Sequence, residues 1–206
     1  AGAGKDTIGD HLVAKYGFKK IALADPIKRL VKDVFVLSDE EVYDREKREQ
    51  PMEKWGGRSV RQLLQYIGTE LFRENVDEEI WVKSLWFRVE NDPNFNYVVT
   101  DVRFPNELEY LSKSAGKDFV FIKVEREGCD GQVGIVQPER SSFKKFLDYL
   151  CMRTPKKTVH ASEAYDLKAA HVIENNSTFE DLYIEVEAIA ECYLPKDFVE
   201  KIERSV

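Results

Sequence analysis

The sequence predicts an α/β fold, a parallel sheet layered between helices, with an insertion serving as lid and substrate-binding region. Three observations predict it. Short apolar runs alternate with amphipathic stretches, the pattern of strands joined by helical crossovers. The chain opens on Gly2-Ala3-Gly4-Lys5-Asp6-Thr7, the second half of G-x-x-x-x-G-K-[ST], directly before an amphipathic stretch with Ile8, Leu12 and Val13. The run Tyr97-Val98-Val99-Thr100 ends in Asp101 and has the form of a buried parallel strand. Together these describe a three-layer P-loop NTPase-type architecture.

The elements follow in order. A first helix is expected from Lys5 to Tyr16, then a strand over Phe18–Leu23. Asp25-Pro26 opens a helix through Phe35, with Asp25 as N-cap and Pro26 at the first helical position. Residues 38–58 are highly charged, contain Pro51 and Gly56-Gly57, and read as exposed and partly irregular. Ser59-Val60-Arg61-Gln62 is a capping box, and Leu63, Leu64, Ile67, Leu71 and Phe72 form the apolar face of the helix it starts. Further helices are expected over Glu78–Val89 and from Pro105 to Ser114, and strands over Phe119–Val124 and His171–Glu174. Ser177-Thr178-Phe179-Glu180 reads as a second capping box, opening a helix to Tyr193. The chain is one domain over 1–206, with 36–95 as the helical insertion and 126–163, rich in Arg and Lys, as the cover.

Bulk composition excludes several classes. A net charge of −7 argues against broad binding to nucleic acid, which needs a basic face. No apolar run approaches the roughly 18 residues of a membrane span. Cys129, Cys151 and Cys192 are odd in number and widely spaced, so they read as reduced thiols of a cytoplasmic protein rather than a disulfide frame or zinc site. His11, His160 and His171 lack partner carboxylates at ligand spacing and are not read as metal ligands.

The opening loop carries the chemistry. Backbone N–H groups of such a loop wrap an anion, and glycines let the backbone come close. Lys5 belongs against the outer phosphates of a nucleotide; a cation at a helix N-terminus is otherwise unfavourable. The motif's first glycine and feeding strand are not in the sequence, so residues ahead of Ala1 are expected. Asp6 stands where Ser or Thr usually holds Mg²⁺, with Thr7 one position later.

Three further segments sharpen the reading: Arg61-Gln62-Leu63-Leu64-Gln65-Tyr66-Ile67-Gly68-Thr69-Glu70 with Arg73 and Ile80-Trp81-Val82; Val99-Thr100-Asp101-Val102-Arg103-Phe104-Pro105-Asn106-Glu107; and His160-Ala161-Ser162-Glu163 with Val172-Ile173-Glu174-Asn175-Asn176. In this order after Gly-Lys-Asp-Thr, the chain closely resembles the deoxynucleoside monophosphate kinases of bacteriophages and related viruses. The resemblance implies transfer of the γ-phosphoryl of ATP to a deoxynucleoside 5′-monophosphate, with Mg²⁺, in the host cytoplasm if the protein is viral. Its implied partners are small nucleotides, without nucleic acid or membrane; a homodimer stays open.

On this reading ATP binds Gly2, Ala3, Gly4, Lys5, Asp6 and Thr7. Asp6 and Asp101 orient metal-bound water, Asp6 having the alternative of a plain first-turn carboxylate and Asp101 that of a cap. Asp10, one turn after Asp6, faces either the site or solvent. Lys5, Asp101 and Arg103 are the catalytic candidates. Arg103 offers a guanidinium fork to the acceptor phosphate; its alternative is a surface ion pair with Glu107. Arg61, Gln65, Thr69 and Arg73 recur at i, i+4, i+8 and i+12 and line a groove or a solvated face. Trp81 either stacks on a base or fills the core. Lys28 and Arg29 are weaker phosphate contacts, and the lid arginine is one of Arg126, Arg140 and Arg153. The competing functions are another small-molecule kinase, such as one like dephospho-coenzyme A kinase, and a non-catalytic nucleotide-binding protein.

Overall fold

The computed structural model describes residues 2–127, 170–196 and 198–199. The cover region beyond Glu127, with Arg140, Arg153 and His160–Glu163, lies outside the described residues. The chain divides into two units. The first takes its described residues from 2–22, 85–127 and 170–199, and the second takes its described residues from Leu23–Ser84.

In the first unit, α1 (Lys5–Tyr16) starts at Gly4 and closes at Gly17, whose N–H returns to the carbonyls of Leu12 and Val13. Strand β1 (Lys19–Ile21) pairs in parallel with β4 (Tyr97–Val99), Lys20 opposite Val98. Strand β5 (Ile122–Glu125) pairs in parallel with β6 (His171–Glu174), Val124 opposite Ile173. Helix α7 (Phe179–Tyr193) packs on α1. Ile8, Leu12 and Tyr16 of α1 meet Ile173 of β6 and Leu182 and Val186 of α7 in one buried core. The i, i+4, i+8 spacing on α1 and i, i+4 on α7 is what turns these side chains to one stripe. The expected parallel strands are present, as two separate pairs; β4 is half-buried rather than buried, with one strand neighbour among the described residues.

The α1–α7 contact is also polar. His11 Nε2 lies 2.7 Å from Glu187 Oε1, and Lys15 Nζ lies 2.8 Å from Glu187 Oε2. The His11 ring stacks on Tyr183 at 3.9 Å. Helix α6 (Pro105–Ala115) is capped by its own Glu107, 2% exposed, whose Oε2 accepts the backbone N–H of Arg103 at 2.8 Å and of Phe104 at 3.0 Å.

In the second unit, α2 (Asp25–Val34) begins one residue earlier than expected. Its N-cap is Ala24, and Asp25 and Pro26 occupy the first turn, where a carboxylate suits the helix dipole and a missing N–H costs nothing. The charged stretch is more regular than expected. Ser38 and Glu41 form a capping box for α3 (Asp39–Tyr43), and β2 (Pro51–Met52) pairs antiparallel with β3 (Arg58–Ser59). The Ser59/Gln62 capping box starts α4 (Val60–Gln65) as expected, and the helix continues as a π-helix over Tyr66–Arg73. Val31, Leu37, Val42, Val60, Leu63 and Ile67 form this unit's core; Leu71, expected on the apolar face, is 44% exposed. Helix α5 (Ile80–Glu90) follows and carries the chain back into the first unit. The second expected capping box is shifted: Thr178 and Asp181, not Ser177 and Glu180, cap α7. Among the described residues, no helix is long and apolar enough to cross a membrane.

Candidate active site

The loop ahead of α1 has the backbone that an anion cradle needs. Gly2 and Gly4 both sit at positive φ, 90° and 105°, and the Gly4 carbonyl accepts the Ile8 N–H at 3.0 Å as the first helical bond. Ala3 between them is buried. Lys5 is exposed in the first turn, where the helix dipole favours an anion beside it. Thr7 is half-buried in the same turn.

Gly9 brings α1 against the end of β4. A Cβ at Gly9 would lie 2.7 Å from the Thr100 methyl, so only hydrogen fits there. That approach lets Thr100 Oγ1 donate to Asp6 Oδ1 at 3.0 Å. Lys20, on β1 beside β4, completes the arrangement: its Nζ is 3.1 Å from Asp6 Oδ1 and 3.0 Å from Asp10 Oδ1. Asp10 is thus on the same face as Asp6. Burial pushes the Asp6 pKa up, but the hydrogen bonds from Lys20 and Thr100 and the charges of Lys20 and Lys5 outweigh it, leaving Asp6 below its ordinary value. Burial also works against the Lys20 charge, and its bonds to Asp10 and Asp6 prevail, so Lys20 is raised. Asp101 follows Thr100 directly and is half-buried; Arg103 is exposed. The two Glu107 bonds described above go to backbone N–H groups, that of Arg103 included.

The loop is braced from the far end of the chain. Asn175, 7% exposed and just after β6, donates from Nδ2 to the Ala3 carbonyl at 2.8 Å. The sequence alone assigns Asn175 no role. The signal available was a polar residue directly after an apolar strand.

In the second unit the stripe of polar residues lies along α4 and the π-helix. In an α-helix each i+4 step runs about 40° past a full turn, so Arg61, Gln65, Thr69 and Arg73 would fan out over about 120°. The wider π turn falls about 30° short of one at each such step. The two drifts oppose, and the four stay within about 60° on one face. All four are half-buried. Arg61 NH1 pairs with Glu49 Oε1 at 2.8 Å, and Arg73 NH1 donates to the Glu78 carbonyl at 3.1 Å. Trp81 takes the core alternative: it is 6% exposed, its Nε1 donates to the Gly68 carbonyl at 2.8 Å, and its ring packs on Phe72 at 5.1 Å. Lys28 lies over the Tyr43 ring, and Arg29 is exposed.

Comparison with known proteins bears on the same segments. The sequence model of the family described as deoxynucleotide monophosphate kinase matches residues 37–132. A protein of Acanthamoeba polyphaga mimivirus, named "Putative deoxynucleotide monophosphate kinase", is 29% identical over 197 residues, 90% of this chain and 89% of its own length. The deoxynucleoside-5′-monophosphate kinase of Escherichia phage T5 is 46% identical over 56 residues, 27% of this chain and 22% of its own. The likeness read from the sequence therefore holds: the chain is similar to proteins named as deoxynucleotide monophosphate kinases.

Proposed function

We propose that the chain transfers the γ-phosphoryl group of ATP to the 5′-phosphate of a deoxynucleoside monophosphate, giving the diphosphate. The observation that carries this beyond the family likeness is the loop before α1. Two glycines at positive φ, a buried alanine between them and an exposed lysine in the first helical turn make a cradle for a polyphosphate. This supports the P-loop reading of the fold.

The roles follow from what phosphoryl transfer needs: two anions held in line, their charge neutralised and water excluded. Residues Gly2 to Thr7 take the ATP phosphates, with the Lys5 ammonium on the transferring group. Arg103 takes an acceptor phosphate. Arg61, Gln65, Thr69 and Arg73 are acceptor-binding residues of the stretch 36–95, where Trp81 holds the helices rather than the base.

The acidic residues fit Mg²⁺. Asp6 and Asp101 supply hard oxygen donors, and Thr100 between Asp101 and the loop fixes the Asp6 carboxylate. Among the described residues no group of three or more His, Cys, Asp or Glu gathers to hold a metal by itself. That suits an ion bound by one or two carboxylates, water and substrate phosphates. When bound, Mg²⁺ supplies charge neutralisation at the phosphates. The protein's part is to orient the bound water through Asp6 and Asp101.

The test is a coupled ATP-consumption assay with deoxy- and ribonucleoside monophosphates, nucleosides and dephospho-coenzyme A as acceptors. Diphosphate formation is expected with at least one deoxynucleoside monophosphate and none with nucleosides. Turnover only with dephospho-coenzyme A, or ATP binding without turnover on any acceptor, overturns the proposal.

A further inference from the structure

We infer that Asn175 is a positioning residue for the phosphate loop, turning the Gly4 N–H toward the anion by holding the Ala3 carbonyl. The inference rests on the reading that this loop binds nucleotide phosphates. A trans peptide is planar, so the carbonyl of Ala3 and the N–H of Gly4 point in opposite directions. The Asn175 Nδ2 donor fixes that carbonyl inward at 2.8 Å, on a side chain 7% exposed. The Gly4 N–H is thereby aimed outward, away from Asn175.

The packing makes the arrangement exclusive. A Cβ on Gly4 would lie 2.4 Å from Asn175 Nδ2 and 3.6 Å from a Leu182 methyl, and Gly4 has φ 105°. Gly4 therefore answers both to its backbone angle and to the amide pressed against it. Asn175 is fixed in turn: its N–H donates to the Glu125 carbonyl at 2.7 Å, at the end of the β5–β6 pair. The sheet end thus sets Asn175, and Asn175 sets the loop. Without the amide, the peptide between Ala3 and Gly4 is free to turn, and one preorganised donor to phosphate is lost.

The test is calorimetric titration of the full chain with ATP and, separately, with a deoxynucleoside monophosphate. Asn175→Leu keeps the volume and removes the donor; Asn175→Asp keeps the shape and puts an acceptor against the carbonyl. Both are expected to weaken ATP by about tenfold or more, with the monophosphate changed by less than about twofold. Val186→Ala, in the same core, is expected to lower Tm and leave ATP affinity unchanged, which separates positioning from lost stability. If Asn175→Leu does not fold, Asn175→Asp is read alone. Wild-type ATP affinity in a folded Asn175 variant overturns the inference. Lys5→Ala distinguishes the two failures. If it weakens ATP while the Asn175 variants do not, only the inference falls; if it too binds ATP normally, the loop assignment fails.

Discussion

Replacing Gly9 by alanine sets two magnitudes against each other. In an isolated helix the change favours folding by about 1 kcal/mol, because alanine has less backbone freedom to lose. Here the new methyl would meet the Thr100 methyl at 2.7 Å, with Lys20 carbons at 3.5 Å. Carbon atoms pack best at about 3.5–4.0 Å, so the two must separate by about 1 Å. Overpacking of this kind costs about 1–3 kcal/mol, which leaves Gly9→Ala between neutral and about 2 kcal/mol less stable. The larger effect falls on turnover. The hydrogen bond from Thr100 to Asp6 is 3.0 Å long and does not survive a shift of about 1 Å. A misplacement of that size at the carboxylate proposed to orient the metal should cost about ten- to a hundredfold. Thr100→Ser removes the obstructing methyl and keeps the hydroxyl, so adding it to Gly9→Ala should restore both quantities. Urea unfolding and steady-state kinetics on the two single variants and the double variant complete the cycle. A Gly9→Ala protein that is more stable than wild type and fully active would refute the close approach of α1 to β4.

Other sites give separate tests. Asp101→Asn keeps shape but not charge, so turnover across a Mg²⁺ titration should suffer more than monophosphate affinity; unchanged Mg²⁺ dependence makes Asp101 a cap. Arg61→Lys and Arg103→Lys each lose the guanidinium fork, so KM or kcat for the monophosphate should worsen while calorimetric ATP-analogue binding holds; the reverse pattern means the sites are assigned backwards. Glu187 closes α1 on α7: burial raises its pKa, but its bonds to Lys15 and His11 prevail and hold it below the ordinary value of 4.5. A lowered carboxylate stabilises the fold fully above its ordinary value, and that contribution is lost as pH falls through the lower folded value. Glu187→Gln should therefore lose about 1 kcal/mol near neutral pH and less in acid, by urea unfolding at several pH values; an equal loss at every pH rules out the charge as the cause.

Local chemistry was legible in the chain. The bounds of α1 and β6 match expectation, and the Ser59 capping box is where its residues place it. These depend on near neighbours alone. The Ser38 box was equally local and was masked by the charge of the residues around it. What escaped depends on distance or on an unusual turn. Asn175 reaches the loop from 172 residues away, and the Lys20 bridge needs β1 beside β4; no periodicity encodes either. The π-helix left no distinct trace, because polar residues at successive i+4 steps also share a face of an ordinary α-helix. Trp81 stood between two readings because an indole serves a core and a base equally well, and only its Gly68 bond and burial decide. Likewise Asp6, odd against the generic motif, makes sense once Thr100 and Lys20 are seen to hold it.

The most direct test of the account is turnover of Lys5→Ala in the full chain, with ATP and the best deoxynucleoside monophosphate and diphosphate product quantified by chromatography. Circular dichroism and Tm establish that the variant is folded. Loss of a preorganised cation at the transferring phosphoryl group is an effect of about 3 kcal/mol, so turnover should fall by about a hundredfold or more with the fold intact. Near wild-type turnover in a properly folded Lys5→Ala protein would contradict it.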